Sequence, residues 1–120
     1  MVHSYQPRLR VVFYRSSKGR EPVREWLQGL DDESKKLLGE DIKTVQFGWP
    51  LGMPLVRGLG NGLWEVRSRL SRGAARIIFL AEGNLMVLLH GFIKKAQKTP
   101  KKELEIARRR ARRLQAGEEQ

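Results

Sequence analysis

Apolar positions along the first half of the chain predict one strand, two helices and a loop. Residues 9–14 form a short β-branched and aromatic run, which favours a strand. Residues 21–30 begin with Glu-Pro and then carry apolar side chains at i, i+3, i+4 and i+7, which indicates a helix. Residues 31–48 begin with acids and predict a second amphipathic helix. Five glycines and two prolines predict a loop over residues 48–62.

The second half predicts three strands and a last helix. Residues 63–70 alternate, with Trp64, Val66, Ser68 and Leu70 on one face and Glu65, Arg67 and Arg69 on the other. Further strands are expected at residues 75–81 and 85–93, and the short connections predict an antiparallel meander. Thr99 and Pro100 are expected as N-cap and first residue of a helix. Its narrow apolar stripe contains Leu104, Ala107, Ala111 and Leu114.

These elements predict an α+β fold in the order β-α-α-β-β-β-α. The sheet is expected to be small, twisted and mainly antiparallel, with the helices on one face. At 120 residues the chain is expected to be a single domain over residues 1–120. A loose arm is expected at residues 1–8 and a frayed tail at residues 115–120.

Composition narrows the chemistry that this domain can perform. Cysteine is absent and only His3 and His90 could ligate a metal through imidazole, so neither a metal site nor a cofactor is expected. No secretory segment is visible and no apolar run approaches the length of a membrane span, which favours the cytoplasm. The formal net charge of +11 predicts a polyanionic partner such as RNA.

Much of the positive charge lies in the last quarter of the chain. Residues 94–113 carry a net charge of +8. Their ten basic residues are Lys94, Lys95, Lys98, Lys101, Lys102, Arg108, Arg109, Arg110, Arg112 and Arg113. A solvated helix face, with arginines that complement the helix dipole, would also explain residues 108–113. Five arginines in six positions exceed what capping requires, and they suit a contact with phosphate or with an acidic partner.

A second basic group belongs to the strands and to the loop that precedes them. Its members are Arg57, Arg67, Arg69, Arg72 and Arg76. A hairpin can bring Arg67, Arg69 and Arg76 within reach of one phosphate, which guanidinium groups bind in a bidentate manner and stabilise as charge develops. Cleavage of RNA through its 2′-hydroxyl needs such groups together with help in proton transfer. A row of outward-facing, solubilising arginines is the alternative.

The residues that could transfer a proton are few. His90 is the candidate imidazole acid or base, although a buried, hydrogen-bonded structural role is the simpler interpretation. Lys94 and Lys95 could serve if neighbouring cations lower the lysine pKa, and simple contact with the RNA backbone is the alternative. Trp64 and Phe79 are expected in the core rather than as platforms for bases.

Four sequence blocks, in order and at ordinary spacing, carry a family resemblance. They are Leu63-Trp64-Glu65-Val66-Arg67, Ala75-Arg76-Ile77-Ile78-Phe79, the run from Leu88 to Lys95, and Gln97-Lys98-Thr99-Pro100. Over residues 9–114 the chain resembles the phage-derived branch of the RelE/HigB-type toxins of type II toxin–antitoxin modules.

The resemblance implies a RelE-like fold, a ribosome-dependent endoribonuclease that cleaves mRNA and inhibits translation, and neutralisation by a helix-turn-helix antitoxin. By position it implies that Arg67, Arg76, Lys94 and Lys95 are catalytic. Contacts with RNA are expected for the remaining basic residues Arg57, Arg69, Arg72, Lys98, Lys101, Arg108, Arg109 and Arg112. A terminal tyrosine or histidine of the kind that some relatives use as a base is missing here.

Two other classes of function stay open at this point. ParE toxins share the fold but bind and inhibit DNA gyrase, and fold alone does not separate them from nucleases. A basic nucleic-acid-binding module without toxicity would also satisfy the composition.

Overall fold

A computed structural model of the chain describes residues 6–71, 73–95 and 98–117. It contains, in chain order, β1 (Arg10–Phe13), α1 (Pro22–Gln28), α2 (Asp32–Gly48), β2 (Val56–Gly60), β3 (Leu63–Leu70), β4 (Gly73–Glu82), β5 (Leu85–Lys94) and α3 (Lys101–Gln115). The α+β class is confirmed, with the order β-α-α-β-β-β-β-α. Most of the predicted arm and tail (residues 1–5 and 118–120) lies outside the described residues.

The five strands form one sheet in the order β1-β5-β4-β3-β2. The predicted antiparallel meander is confirmed, because β3 pairs with β4 and β4 with β5 through short turns. β1 joins the sheet in parallel to β5, with Arg10 opposite Leu85 and Phe13 opposite Leu88. The sheet is therefore mainly antiparallel with one parallel edge pair.

The helices lie on both faces of the sheet, and the expectation that they share one face is wrong. One core joins Val23 of α1 and Leu38 of α2 to Ile77 and Phe79 of β4. A second core joins the α3 residues Ala107 and Ala111 to the side chains on the opposite face of the sheet, including Ile78, Leu80, Val87 and Leu89. The physical reason is that β4 and β5 are apolar on both faces, and each face must be covered to leave water.

The expectation of a loop from residue 48 to residue 62 is also wrong in part, because Val56–Gly60 forms the edge strand β2. Val56 is buried opposite Val66, and this pairing anchors the strand despite its glycines. Gly58 lies opposite Trp64, where a Cβ atom would stand 3.1 Å from the indole ring. Glycine at this position reflects a close approach of the backbone to an aromatic ring rather than a loop.

α1 lies against β5 through a similar close approach. The Trp26 ring covers Gly91, and a Cβ atom at Gly91 would overlap the ring. α2 begins at the N-cap Asp31, whose carboxylate accepts hydrogen bonds from the backbone N–H and the hydroxyl of Ser34. Together α1 and α2 cover one face of the sheet, which leaves the face beneath α3 to carry the candidate site.

None of the helices in the described ranges has the length and apolar character needed to cross a membrane.

Candidate functional site

Five charged side chains meet on the face of the sheet that α3 partly covers. We call Arg57, Glu65, Arg67, Arg76 and Lys94 the sheet-face cluster. Strand register places them together: Arg57 is opposite Glu65, Arg67 is opposite Arg76, and Arg76 is opposite Phe92, two residues before Lys94. Residues paired directly across antiparallel strands share a face, so four cations surround one carboxylate.

Glu65 is the buried centre of this cluster, with none of its surface exposed. Its Oε2 accepts a hydrogen bond of 2.5 Å from the Thr99 hydroxyl. Its Oε1 lies 3.8 Å from Nε of Arg76, close enough for an ion pair but too far for a hydrogen bond. Both of these atoms are buried and lack a hydrogen-bond partner among the described residues. Buried polar atoms usually have partners, so the ion pair between Glu65 and Arg76 is incompletely satisfied within the described residues.

Like charges crowd together in the cluster. Arg67 and Arg76 stand directly opposite each other, an arrangement that destabilises a sheet when nothing compensates it. Arg76 is only 7% exposed and Lys94 only 6% exposed. The pKa of Arg76 is lowered by burial first and then by the charge of Arg67. Such a cluster gains most from an anion that neutralises it.

The pKa of Lys94 is lowered as well. Burial is the largest cause, followed by the charge of Arg76, while Glu65 acts in the opposite direction. A lowered pKa makes the neutral amine more accessible at a given pH, which favours acid and base roles. Lys94 is thus buried beside Arg76 with a lowered pKa, and its role in proton transfer stays a prediction.

A cleft of 570 Å³ opens beside the cluster. Arg67 and Arg76 line it together with residues that precede β2, including Met53 and Pro54. The Arg67 guanidinium lies 3.0 Å from the Met53 sulfur, and Met53 is 60% exposed. The cleft thus brings together cations, an exposed apolar side chain and the Asp41 carboxylate of α2, which accepts a hydrogen bond from Ser68.

The remaining predicted site residues lie outside the sheet-face cluster. Arg69 lines the same cleft at the exposed end of β3. Lys95 and Lys98 are exposed in the connection between β5 and α3, and Lys101 is exposed in the first turn of α3. Arg72 lies outside the described residues.

The arginines of α3 point in different directions. Arg108 and Arg112 line a second cleft beside the turn between β2 and β3. Arg109 is exposed. Arg110 turns inward, where its guanidinium donates a 2.7 Å hydrogen bond to the Leu89 carbonyl and lies over the Tyr14 ring. The arginine run is therefore not one uniform solvated face.

His90 lies under α3 rather than in the cluster. Its Nε2 is 2.8 Å from a carboxylate oxygen of Glu103, and its ring stacks on Phe92. The pKa of His90 is lowered, mainly by burial, against the opposing effect of Glu103. These contacts describe a histidine that ties α3 to β5, and its role as acid or base stays a prediction.

Sequence reasoning assigned no site role to Glu65 or Thr99. The signal for Glu65 was present, because an acid alternated with two arginines on one strand face. Thr99 was expected to cap α3, and that expectation is wrong: Pro100 is the N-cap and the helix begins at Lys101. The hydroxyl of Thr99 is instead used by Glu65, which lies 34 residues away in sequence.

Comparison with known proteins supplies the family. The profile of the family described as phage-derived protein Gp49-like (DUF891) matches residues 25–112, which include the second half of α1, all of α2, the strands β2 to β5 and most of α3. No curated protein matches the chain. The matched range contains the whole sheet-face cluster. The chain therefore belongs to the Gp49-like family of phage-derived proteins, a family associated with toxin–antitoxin toxins of the RelE/ParE-like type.

Proposed function

We propose that this chain is the toxin of a type II toxin–antitoxin module and that it acts in the cytoplasm as a ribosome-dependent mRNA endoribonuclease. The observation that carries the proposal is the direct opposition of Arg67 and Arg76 beside Lys94 on one sheet face. A gyrase inhibitor needs no such arrangement for chemistry. For a nuclease, the same arrangement supplies both phosphate binding and proton transfer.

The proposed reaction uses the RNA's own 2′-hydroxyl as the nucleophile. Its oxygen attacks the adjacent phosphorus, a P–O bond forms, and the bond to the 5′-oxygen of the next nucleotide breaks. The products are a 2′,3′-cyclic phosphate and a free 5′-hydroxyl, so no water or cofactor enters this step. Arg67 and Arg76 hold the phosphate and stabilise the charge that grows on its oxygens.

Proton transfer falls to Lys94 in this proposal, with exposed Lys95 beside it as an auxiliary contact to the RNA. The neutral amine of Lys94 accepts the proton of the 2′-hydroxyl, or its ammonium form donates one to the leaving 5′-oxygen. Glu65 is a positioning residue: it lies 3.8 Å from Arg76, accepts a hydrogen bond from Thr99 and offsets part of the cationic repulsion.

The family implies an antitoxin as partner, and we propose that it is a helix-turn-helix protein with an acidic segment. A protein with a net charge of +11 attracts such a segment strongly, and burial of the sheet-face cluster beneath it would block the substrate. A small helix-turn-helix protein encoded next to this chain would support the proposal.

Mapping of mRNA 5′ ends after induction tests the function. Wild-type protein and Lys43→Ala should generate new 5′ ends and arrest growth, because Lys43 is an exposed cation of α2, which covers the other face. Arg76→Ala should lose both effects. Since Arg76 is buried, the half-buried Arg67 provides a second variant, Arg67→Ala, which should fold normally and also lose cleavage.

Two results would overturn the proposal. In the first, wild-type protein arrests growth and raises DNA-damage markers while mRNA ends stay unchanged, which would favour inhibition of gyrase. In the second, Arg67→Ala and Arg76→Ala, both shown to be folded and to bind the antitoxin, cleave mRNA as well as Lys43→Ala.

A further inference from the structure

The α3 arginines other than the inward-facing Arg110 fall into two groups, those that line a cleft and those that do not. Arg108 and Arg112 lie one helical turn apart and face the turn between β2 and β3. The cleft there has a volume of 450 Å³ and is lined by Asn61, Leu63, Arg108, Ala111, Arg112 and Gln115. We call it the turn cleft. Arg109 and Arg113 carry the same charge on the same helix but are exposed outside it.

One of the two cleft arginines has an atom without a partner in the described part of the chain. Nε of Arg108 is buried and has no hydrogen-bond partner among the described residues. A guanidinium can only donate hydrogen bonds, so an acceptor is what this position lacks. The described lining residues include no carboxylate that could supply one. The amide side chains of Asn61 and Gln115 add neutral donors and acceptors at the rim.

The turn cleft and the sheet-face cluster both lie at the β2–β3 edge of the sheet. Leu63, Glu65 and Arg67 alternate along one face of β3, and Leu63 belongs to the turn cleft while the other two belong to the cluster. Four residues of strand span about 13 Å, so a few nucleotides of extended RNA would bridge the two. Arg57 on β2, opposite Glu65, lies between them.

We propose that the turn cleft holds a backbone phosphate of the same RNA strand that the cluster cleaves, with Arg108 and Arg112 as its ligands. The inference rests on the proposed function and adds a second, separate contact to it. The location of both sites at one sheet edge, with the exposed Arg57 on β2 between them, favours a single strand of RNA over an acidic peptide, which would need only the charge. Arg109 and Arg113 then attract the RNA through their charge without forming a specific contact with its phosphates.

Fluorescence anisotropy with RNA that cannot be cut measures this contact directly. The probes are 2′-O-methyl RNAs, one an octamer and one a dinucleotide, whose single phosphate cannot occupy both sites. The variants are Arg108→Ala/Arg112→Ala and, as the matched control, Arg109→Ala/Arg113→Ala, which removes the same charge from the same helix. Each protein is titrated at salt concentrations between about 50 mM and about 200 mM.

For the octamer, loss of two phosphate contacts should reduce the salt slope of log K by about 1.4 in the cleft variant. Over that fourfold change in salt, wild-type affinity should fall about sevenfold more than the affinity of the cleft variant. The salt slope of the control variant should differ from that of the wild type by less than about 0.7. The dinucleotide cannot bridge the two sites, so the difference in salt slope between the variants should be smaller than with the octamer. If the alanine variant fails to fold, Arg108→Gln/Arg112→Gln removes the same charges and retains more of the packing.

Equal slopes in the two variants would overturn the proposal, because the helix would then act only through its total charge. Selective loss of antitoxin binding with unchanged RNA binding would overturn it too and would assign the turn cleft to the antitoxin. If the cleft variant and the control variant differ in salt slope as expected but the wild-type protein leaves cellular mRNA uncut, only the proposed function is refuted. If the wild-type protein cleaves mRNA but the two variants have equal salt slopes, only the proposed phosphate site in the turn cleft is refuted.

Discussion

Replacement of Glu65 by glutamine removes the one negative charge of the sheet-face cluster and almost nothing of its shape. Glutamine can still accept the hydrogen bond from Thr99, so the change isolates the charge. Four cations would then face one another without a carboxylate. We expect the folded protein to become less stable.

The size of the effect follows from the contact with Arg76. At 3.8 Å, an effective dielectric constant of about 20 gives an attraction of about 4 kcal/mol. The variant buries a neutral amide instead of a carboxylate. Because burial of an ion costs several kcal/mol, this saving offsets part of the lost attraction. We therefore expect Glu65→Gln to lower the free energy of unfolding by about 2 kcal/mol, which is the attraction to Arg76 less the cost of burying the carboxylate.

Urea unfolding followed by circular dichroism measures this difference, with Thr99→Val as the matched control. Thr99→Val removes the hydrogen bond of 2.5 Å but leaves the Glu65 charge in place. Added sulfate should restore stability to Glu65→Gln more than to wild type, because the variant cluster carries one more uncompensated positive charge. A loss below about 0.5 kcal/mol, the range of ordinary surface substitutions, with no added benefit from sulfate would refute the reasoning.

Two further predictions concern packing and pH. Gly91→Ala should destabilise the protein by about 1–3 kcal/mol, because its Cβ would overlap the Trp26 ring. Gly39→Ala, in open space on α2, should stabilise the protein by about 0.5–1 kcal/mol. Thermal melts in which Gly91→Ala is the more stable of the two variants would contradict this prediction. The lowered pKa of His90 means that the unfolded chain binds the proton more readily, so its contribution to stability is complete above about pH 6.5 and declines as the pH falls below that value. Urea midpoints of the wild type should therefore fall more between about pH 7.5 and about pH 5.5 than those of His90→Gln, and an equal fall in both would exclude His90 as the cause.

The face of each residue on the central strands could be predicted from the sequence. Strict alternation in β3 placed Arg67 and Glu65 together and Val66 opposite them, and the register confirms this. The short turns placed Arg76 on the neighbouring strand. The position of α3 was not predicted. The apolar stripe of α3 shows that one side of the helix is buried, but it does not show on which face of the sheet the helix packs. The apolar runs of β4 and β5 on both faces were the available signal for helices on both sides.

Features that depend on long-range partners were beyond the sequence. Gly58 is compatible with a loop until the Trp64 ring is placed against it. Thr99 has the local pattern of a cap, but a buried carboxylate on β3 competes successfully for its hydroxyl. The division of the α3 arginines likewise depends on a turn more than 40 residues upstream.

The parallel pairing of β1 with β5 sets an order for making the protein. Arg10 of the first strand pairs with Leu85 of the last strand, 75 residues later, so β1 has no partner in the sheet until β5 has been synthesised. Closure of so long a loop is slow relative to the local hairpins. Lys94 is also the last residue of β5, and Thr99 follows it. A chain interrupted before residue 85 therefore lacks the partner of β1, and one interrupted before residue 94 still lacks Lys94 of the cluster. Such partial products are expected to be harmless to the cell that makes them.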